Sequence, residues 1–140
     1  MAFLLDTNVV SELRRQSADQ QVLDWQKSHN INESWLSVLT LLEIRHGTER
    51  VRKPDPVFAA KLDDWYHNIL LKIYSGRILP VTLDTCEIKA SFGGDRTLAL
   101  ADALIGATAK QHDLTLVTRN TKDFEDLGIN LINPWERPHD

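Results

Sequence analysis

Phe3-Leu4-Leu5-Asp6-Thr7-Asn8 is three apolar residues closed by an acid and two turn formers, and its reading decides the fold. A short, wholly apolar run reads as a strand buried on both faces, and such strands belong to parallel sheets covered by helices. Outward from it, Val9 to Arg14 reads as a short helix. Asp19 N-caps a second helix running to about His29. Trp35-Leu36 is a second strand, and Val38 to Val51 is helical. Lys53-Pro54-Asp55-Pro56 breaks the chain and restarts it, with Asp55 as cap and Pro56 at the first helical position. In the long helix that follows, Phe58, Leu62, Trp65, Ile69 and Ile73 recur at helical spacing, and Gly76 stops it. Ile78 to Val81 reads as an edge strand, where Pro80 is tolerated. Leu83 to Phe92 is a helix, Gly93-Gly94-Asp95-Arg96 a loop, Ala99 to His112 a helix rich in small residues. Leu114 to Thr118 and Asn130 to Ile132 are the last strands. Alternating strands and helices predict an α/β fold: a mainly parallel central sheet flanked by helices on both faces.

The 140 residues fit a single domain spanning 1–140 with one core. The lone cysteine, Cys86, cannot form an internal disulfide, which fits a reducing compartment, and it is expected to be small packing filler. The start of the chain lacks a basic n-region, and no apolar run is long enough to span a membrane, so the protein is expected to be cytoplasmic. A net charge of −4 argues against affinity drawn from a basic face wrapped on phosphates. It leaves room for an acidic site that needs cations before a nucleic acid can enter.

Three acids stand where apolar elements begin or end. Asp6 closes the first strand, and in parallel α/β sheets ligands bind beyond the carboxyl ends of strands; the same residue also suits a helix N-cap. Glu43 lies inside Val38-Leu39-Thr40-Leu41-Leu42-Glu43-Ile44, where an acid must turn to water or meet a cation. Asp102 lies inside Ala99-Leu100-Ala101-Asp102-Ala103-Leu104, in a first helical turn whose dipole favours negative charge. Converging carboxylates repel unless a divalent cation sits among them, and oxygen-only ligands suit Mg²⁺ or Mn²⁺, not zinc. No histidine pair has zinc spacing, no serine lies in a nucleophile elbow, and no glycine-rich loop resembles a nucleotide cradle. Arg14, Arg45, Arg77, Lys110 and Arg119 are available for phosphate, although scattered basic residues are ordinarily solvated surface.

The segments Phe3–Asn8, Leu36–Gly47 and Ala101–Ala109 resemble the PIN-domain family. Leu116-Val117-Thr118-Arg119-Asn120-Thr121-Lys122-Asp123-Phe124, followed by Asn133-Pro134-Trp135, is similar to its VapC toxin branch of the FitB type. The resemblance runs through essentially the whole chain, with the motifs in order. It implies a PIN-like three-layer sandwich and a Mg²⁺-dependent endoribonuclease of a toxin–antitoxin pair. Asp6, Glu43 and Asp102 match the acidic, metal-holding site, and Thr7 and Asn8 match positions that orient the first acid. It also implies an RNA substrate, a homodimer, and a VapB-type antitoxin occupying the active-site groove. Asn120 stands where many relatives carry an aspartate. Either Asn120 orients water, or Asp123, one turn further on, restores the fourth charge. The stretch from Ala90 to Leu98 is short and glycine-rich beside the family pattern.

Two other readings stay open at this level. One is a nucleic-acid-binding or regulatory protein with the fold but little catalysis. The other is an aspartyl-phosphate phosphatase, which would want a second acid where Asn8 stands. Tyr66, Leu70 and Tyr74 form a second apolar row on the long helix, so part of that surface is expected to meet a second copy or the antitoxin.

Overall fold

The computed structural model describes residues 1–94 and 97–136. Its sheet has five strands: β1 Phe3–Leu5, β2 Ser34–Ser37, β3 Ile78–Leu79, β4 Thr115–Val117 and β5 Leu131–Ile132. They are ordered β3-β2-β1-β4-β5, and every pairing is parallel. The chain first winds outward from β1 to β2 and β3, then crosses back to β4 and β5. The order therefore reverses at β1, and the crevice between β1 and β4 is the switch point where such sheets bind ligands.

The pleat splits the core in two. Phe3 and Leu5 face one side, with Val9, Val10, Leu36, Ile44, Leu70 and Tyr74. Leu4 faces the other, with Ile105, Ala109, Leu116 and Phe124. Alternate residues of a strand point to opposite faces, so three residues seed both cores. Around the sheet lie α1 Thr7–Arg14, α2 Gln20–Lys27, α3 Val38–Arg52, α4 Pro56–Trp65, α5 Leu71–Ile73, α6 Leu83–Ala90 and α7 Leu100–Gln111. The three-layer, parallel α/β architecture expected from the sequence is the one observed.

Local chemistry explains the boundaries. Asp19 accepts from Gln21 N, and Asp55 accepts from Phe58 N beside Pro56 at the first helical position. Gly76 ends the long helix at φ +80°, a conformation glycine adopts without Cβ strain.

Three expectations are corrected, and one open choice is settled. The strand at Ile78 is two residues long, not four. Short 3-10 turns at Ile31–Glu33 and Thr121–Phe124 lie where the sequence reading placed no helix. Cys86 is exposed rather than packing filler, and the neighbouring Thr85 is buried. The long helix buries one of its two apolar rows, a choice the sequence left open. Leu70 and Tyr74 are 3% and 4% exposed, whereas Phe58, Ile69 and Ile73 are 37%, 46% and 45% exposed. A π-helical stretch, Tyr66–Leu70, joins α4 to α5 there. Residues 65, 69, 73 and 66, 70, 74 are both apolar rows of spacing four, so periodicity cannot choose between them. Packing on the sheet does.

Of the glycine-rich loop read at residues 93–96, Asp95 and Arg96 lie outside the described residues.

Candidate active site

Asp6 serves both roles that its position allows. It closes β1 and N-caps α1, its Oδ1 accepting from Val9 N at 3.0 Å. Its Oδ2 accepts from Thr118 Oγ1 at 2.5 Å. The register makes that second bond. Leu5 pairs with Val117 in the parallel ladder, Asp6 N donates to Val117 O at 3.1 Å, and the next residues on the two strands, Asp6 and Thr118, meet across the switch point. Thr118 is fully buried, and its hydroxyl oxygen also accepts from Asn120 N at 3.1 Å. One hydroxyl thus ties the first acid to the start of the turn carrying Asn120 and Asp123.

Glu43 projects from the second turn of α3, half-buried, and its Oε1 accepts from Thr7 Oγ1 at 2.6 Å. Thr7 therefore orients Glu43; the sequence reading had assigned it to the first acid. Asn8 supports Asp6 through its backbone N–H. Leu42, the residue before Glu43 on the helix, is exposed.

Asp102 stands in the first turn of α7, where Ala99 supplies no side-chain cap. Its carboxylate accepts no hydrogen bond from another described residue. Asn120 and Asp123 lie on the exposed 3-10 turn, which Phe124 anchors against α7. The anchor is close: a Cβ at Gly106 would stand 3.0 Å from Phe124 Cε1. Glycine at 106 lets the turn bearing Asp123 lie against the helix bearing Asp102.

The acids feel one another. Burial pushes the Asp6 carboxyl above its ordinary value; the bonds from Thr118 and the backbone of Val9 pull it down, and the charge of Asp102 pushes it up again. Burial likewise raises Asp102, and the charges of Glu43 and Asp123 raise it further. Opposite charge within reach would relieve that repulsion.

Among the described residues no three His, Cys, Asp or Glu side chains are drawn tightly enough to cage an ion. A cage is not what Mg²⁺ requires, since it keeps several waters and binds through one or two carboxylates plus substrate phosphates. The donor set, all carboxylate oxygen with no nitrogen or sulfur, fits Mg²⁺ or Mn²⁺. A groove of about 840 Å³ between α2 and the segment after β5 is lined by Trp25, His29, Asn133 and Pro134, with Asp19, Asp24 and Glu136. None of the five candidate residues lines it. The acids stand instead on the open carboxyl edge of the sheet.

A wholly parallel, doubly wound sheet with mutually repelling carboxylates at its switch point defines a class of α/β protein with an acidic crevice. Comparison with known proteins gives the class a name. The PIN domain model matches residues 3–130, and the chain belongs to the PIN-domain family. It is 34% identical over 140 residues to VapC ribonuclease Y4jK of Sinorhizobium fredii, covering 95% of this chain and 97% of that one. It is 34% identical over 139 residues to Toxin FitB of Neisseria gonorrhoeae, covering 94% and 97%. The crystal structure of FitAcB from Neisseria gonorrhoeae superposes with a TM-score of 0.88 at 33% identity, covering 96% of this chain and 99% of that one. A toxin–antitoxin complex from Klebsiella pneumoniae gives 0.70 at 26% identity, covering 98% and 100%.

Proposed function

We propose that this PIN-domain protein is the toxin of a toxin–antitoxin pair, an endoribonuclease that hydrolyses RNA phosphodiester bonds with Mg²⁺ or Mn²⁺. One observation carries the reading: at the carboxyl edge of the sheet the hydroxyls of Thr118 and Thr7 hold the carboxylates of Asp6 and Glu43 in place, and the charge of Glu43 is felt at Asp102. The curated relatives of similar length are a VapC ribonuclease and a FitB toxin, which supports the same reaction class.

Asp6, Asp102 and Glu43 are the residues that would hold the ion. When bound, a divalent cation offsets charge developing on the phosphoryl oxygens and lowers the pKa of water, the two needs of phosphodiester hydrolysis near neutral pH. The chain's own residues set the geometry. Thr118 and the Val9 N–H fix both oxygens of Asp6, and Thr7 fixes Glu43. Asp102 is left without a described partner, so its carboxylate remains free to ligate. Asp123 adds the fourth charge beside Asp102, and Asn120 offers an amide for orienting water. Mg²⁺, incubated with the purified protein and total cellular RNA, should give fragments with 5′-phosphate and 3′-hydroxyl ends, and chelator should stop the reaction. Cyclic phosphates, or undiminished cutting in chelator, would overturn this mechanism. RNA bound but never cut would favour the binding-protein reading.

The related solved structures are toxin complexes, so an antitoxin is proposed to cover the acidic groove. The exposed row Phe58, Ile69 and Ile73 is proposed to pair two copies, because an apolar stripe of this length is costly to leave in water. Sedimentation should then report a dimer that Ile69→Asp with Ile73→Asp converts to a monomer; a wild-type monomer at micromolar concentration contradicts it. No described helix is long and apolar enough to cross a membrane. The proposed site of action is the cytoplasm, where the RNA is.

A further inference from the structure

We infer that Arg119, held over the Trp135 ring, binds the RNA backbone at a phosphate next to the one being cut, as a single-strand subsite beside the acids. The inference rests on the ribonuclease reading above and adds a specific contact to it.

An acidic crevice in a protein of net charge −4 needs a cation of its own to receive RNA. Of the five basic residues singled out from the sequence, three spend donors inside the fold. Arg45 donates to Asp63 at 2.7 Å, Arg77 to Ser34 O at 3.0 Å and Ile73 O at 2.6 Å, and Lys110 to Leu127 O at 2.9 Å. Arg14 sits over Phe58 and Trp65 in the last turn of α1, about 12 Å along that helix from Asp6. Arg119 is different. It follows Thr118, the residue that holds Asp6, so its Cα is about 3.8 Å from that of Thr118.

Its side chain is also prepared. The guanidinium carbon lies 5.0 Å from the centroid of the Trp135 ring. Asn133 fixes both residues: its Nδ2 donates to Arg119 O at 3.3 Å, and its Oδ1 accepts from Trp135 N at 2.9 Å. Trp135 is in turn packed against the core. A cation held against an aromatic ring keeps its N–H groups free to donate to a further acceptor. Among the described residues those donors make no hydrogen bond and no ion pair, although the residue is exposed. A cation immobilised on an aromatic ring, with its donors unspent and its backbone joined to the strand end that holds Asp6, is suited to bidentate phosphate contact. The guanidinium plane can at the same time stack an unpaired base, which duplex RNA does not offer.

The test uses a single-stranded RNA oligonucleotide that the protein cleaves, and the full chain throughout. Arg119→Ala should raise KM about tenfold while changing kcat by less than about threefold, since it removes binding shared by ground and transition states. In an Asp6→Asn background, which holds RNA uncut, Arg119→Ala should reduce the slope of log affinity against log salt by about 0.7, the share of one phosphate on a single strand. Trp135→Leu should act in the same direction, and Arg119→Lys should restore the slope but not the whole of KM. Circular dichroism on each variant identifies any that fail to fold; Arg119→Ala removes an exposed side chain and carries the decision. Cleavage by the wild type with KM and salt slope unaltered in Arg119→Ala overturns the inference and leaves the ribonuclease reading standing. No cleavage, but RNA binding with the Arg119-dependent slope, sinks the ribonuclease reading and with it the placement beside a cut phosphate, leaving Arg119 as an RNA-backbone contact only.

Discussion

Asp102→Asn is expected to lower RNA cleavage at least about a hundredfold while making the ion-free protein more stable. The first effect follows from removing a charge that would hold the divalent ion, whose Lewis-acid contribution is several kcal/mol. The second follows from what surrounds Asp102. Burial and the charges of Glu43 and Asp123 raise its carboxyl above the ordinary 3.8, and it accepts no hydrogen bond from a described residue that an amide would break. A carboxyl raised in the native state binds more protons there than in the unfolded chain. Stability is therefore greatest below the unfolded value and falls as pH climbs toward and through the native one. The asparagine escapes that loss. Asp102 is partly exposed, so solvent screening keeps the gain to about 1 kcal/mol or less, a rise in Tm of up to about 4 °C for a chain of this size. Thermal melts without divalent ion from about pH 3.8, the unfolded value, up to pH 7.5 should show the wild type losing stability with pH more steeply than the variant. A variant less stable than wild type at pH 7.5 would contradict this reading of Asp102 as a carboxylate strained by burial and like charge.

Thr118→Val should damage both the fold and the reaction. Valine keeps the volume but removes the hydroxyl that donates to Asp6 and accepts from Asn120 N. Leaving those partners unsatisfied costs about 1–3 kcal/mol, because Thr118 is fully buried. The loss also frees Asp6 to rotate and removes an interaction that pulls its carboxyl down. Cleavage should fall about tenfold to a hundredfold, the range a misplaced reacting group commands. Urea denaturation and RNA cleavage would measure the two effects, and Thr118→Ser should restore most of each. Full cleavage by the valine variant would show that Asp6 needs no such anchor.

Much of this was legible in the residues. Phe3-Leu4-Leu5 could be read as a buried strand because three apolar residues before a turn admit few alternatives. Asp6, Glu43 and Asp102 stood out because acids inside apolar runs demand a partner. Thr118 gave no comparable signal. A threonine after an apolar strand is ordinary, and its role appears only once β4 is known to lie beside β1 with Leu5 opposite Val117. Strand order is a long-range property that spacing does not encode. The buried row of the long helix was hidden for a related reason. Its two apolar rows are equivalent along the chain, and contact with the sheet, through Leu70 and Tyr74, separates them. Asp123 was visible as an acid near Asn120, but its effect on Asp102 depends on Gly106 admitting Phe124 against α7.

The most direct measurement is Mn²⁺ binding, followed by calorimetry and electron paramagnetic resonance in the full-length wild type and in Asp102→Asn. If Asp6, Glu43 and Asp102 hold the ion, the wild type should bind one Mn²⁺ firmly, displaced by excess Mg²⁺, with affinity falling at least about tenfold in the variant, as expected when a ligand is lost. Equal Mn²⁺ affinity in the two proteins, or no binding by the wild type at concentrations that support RNA cleavage, would contradict the account.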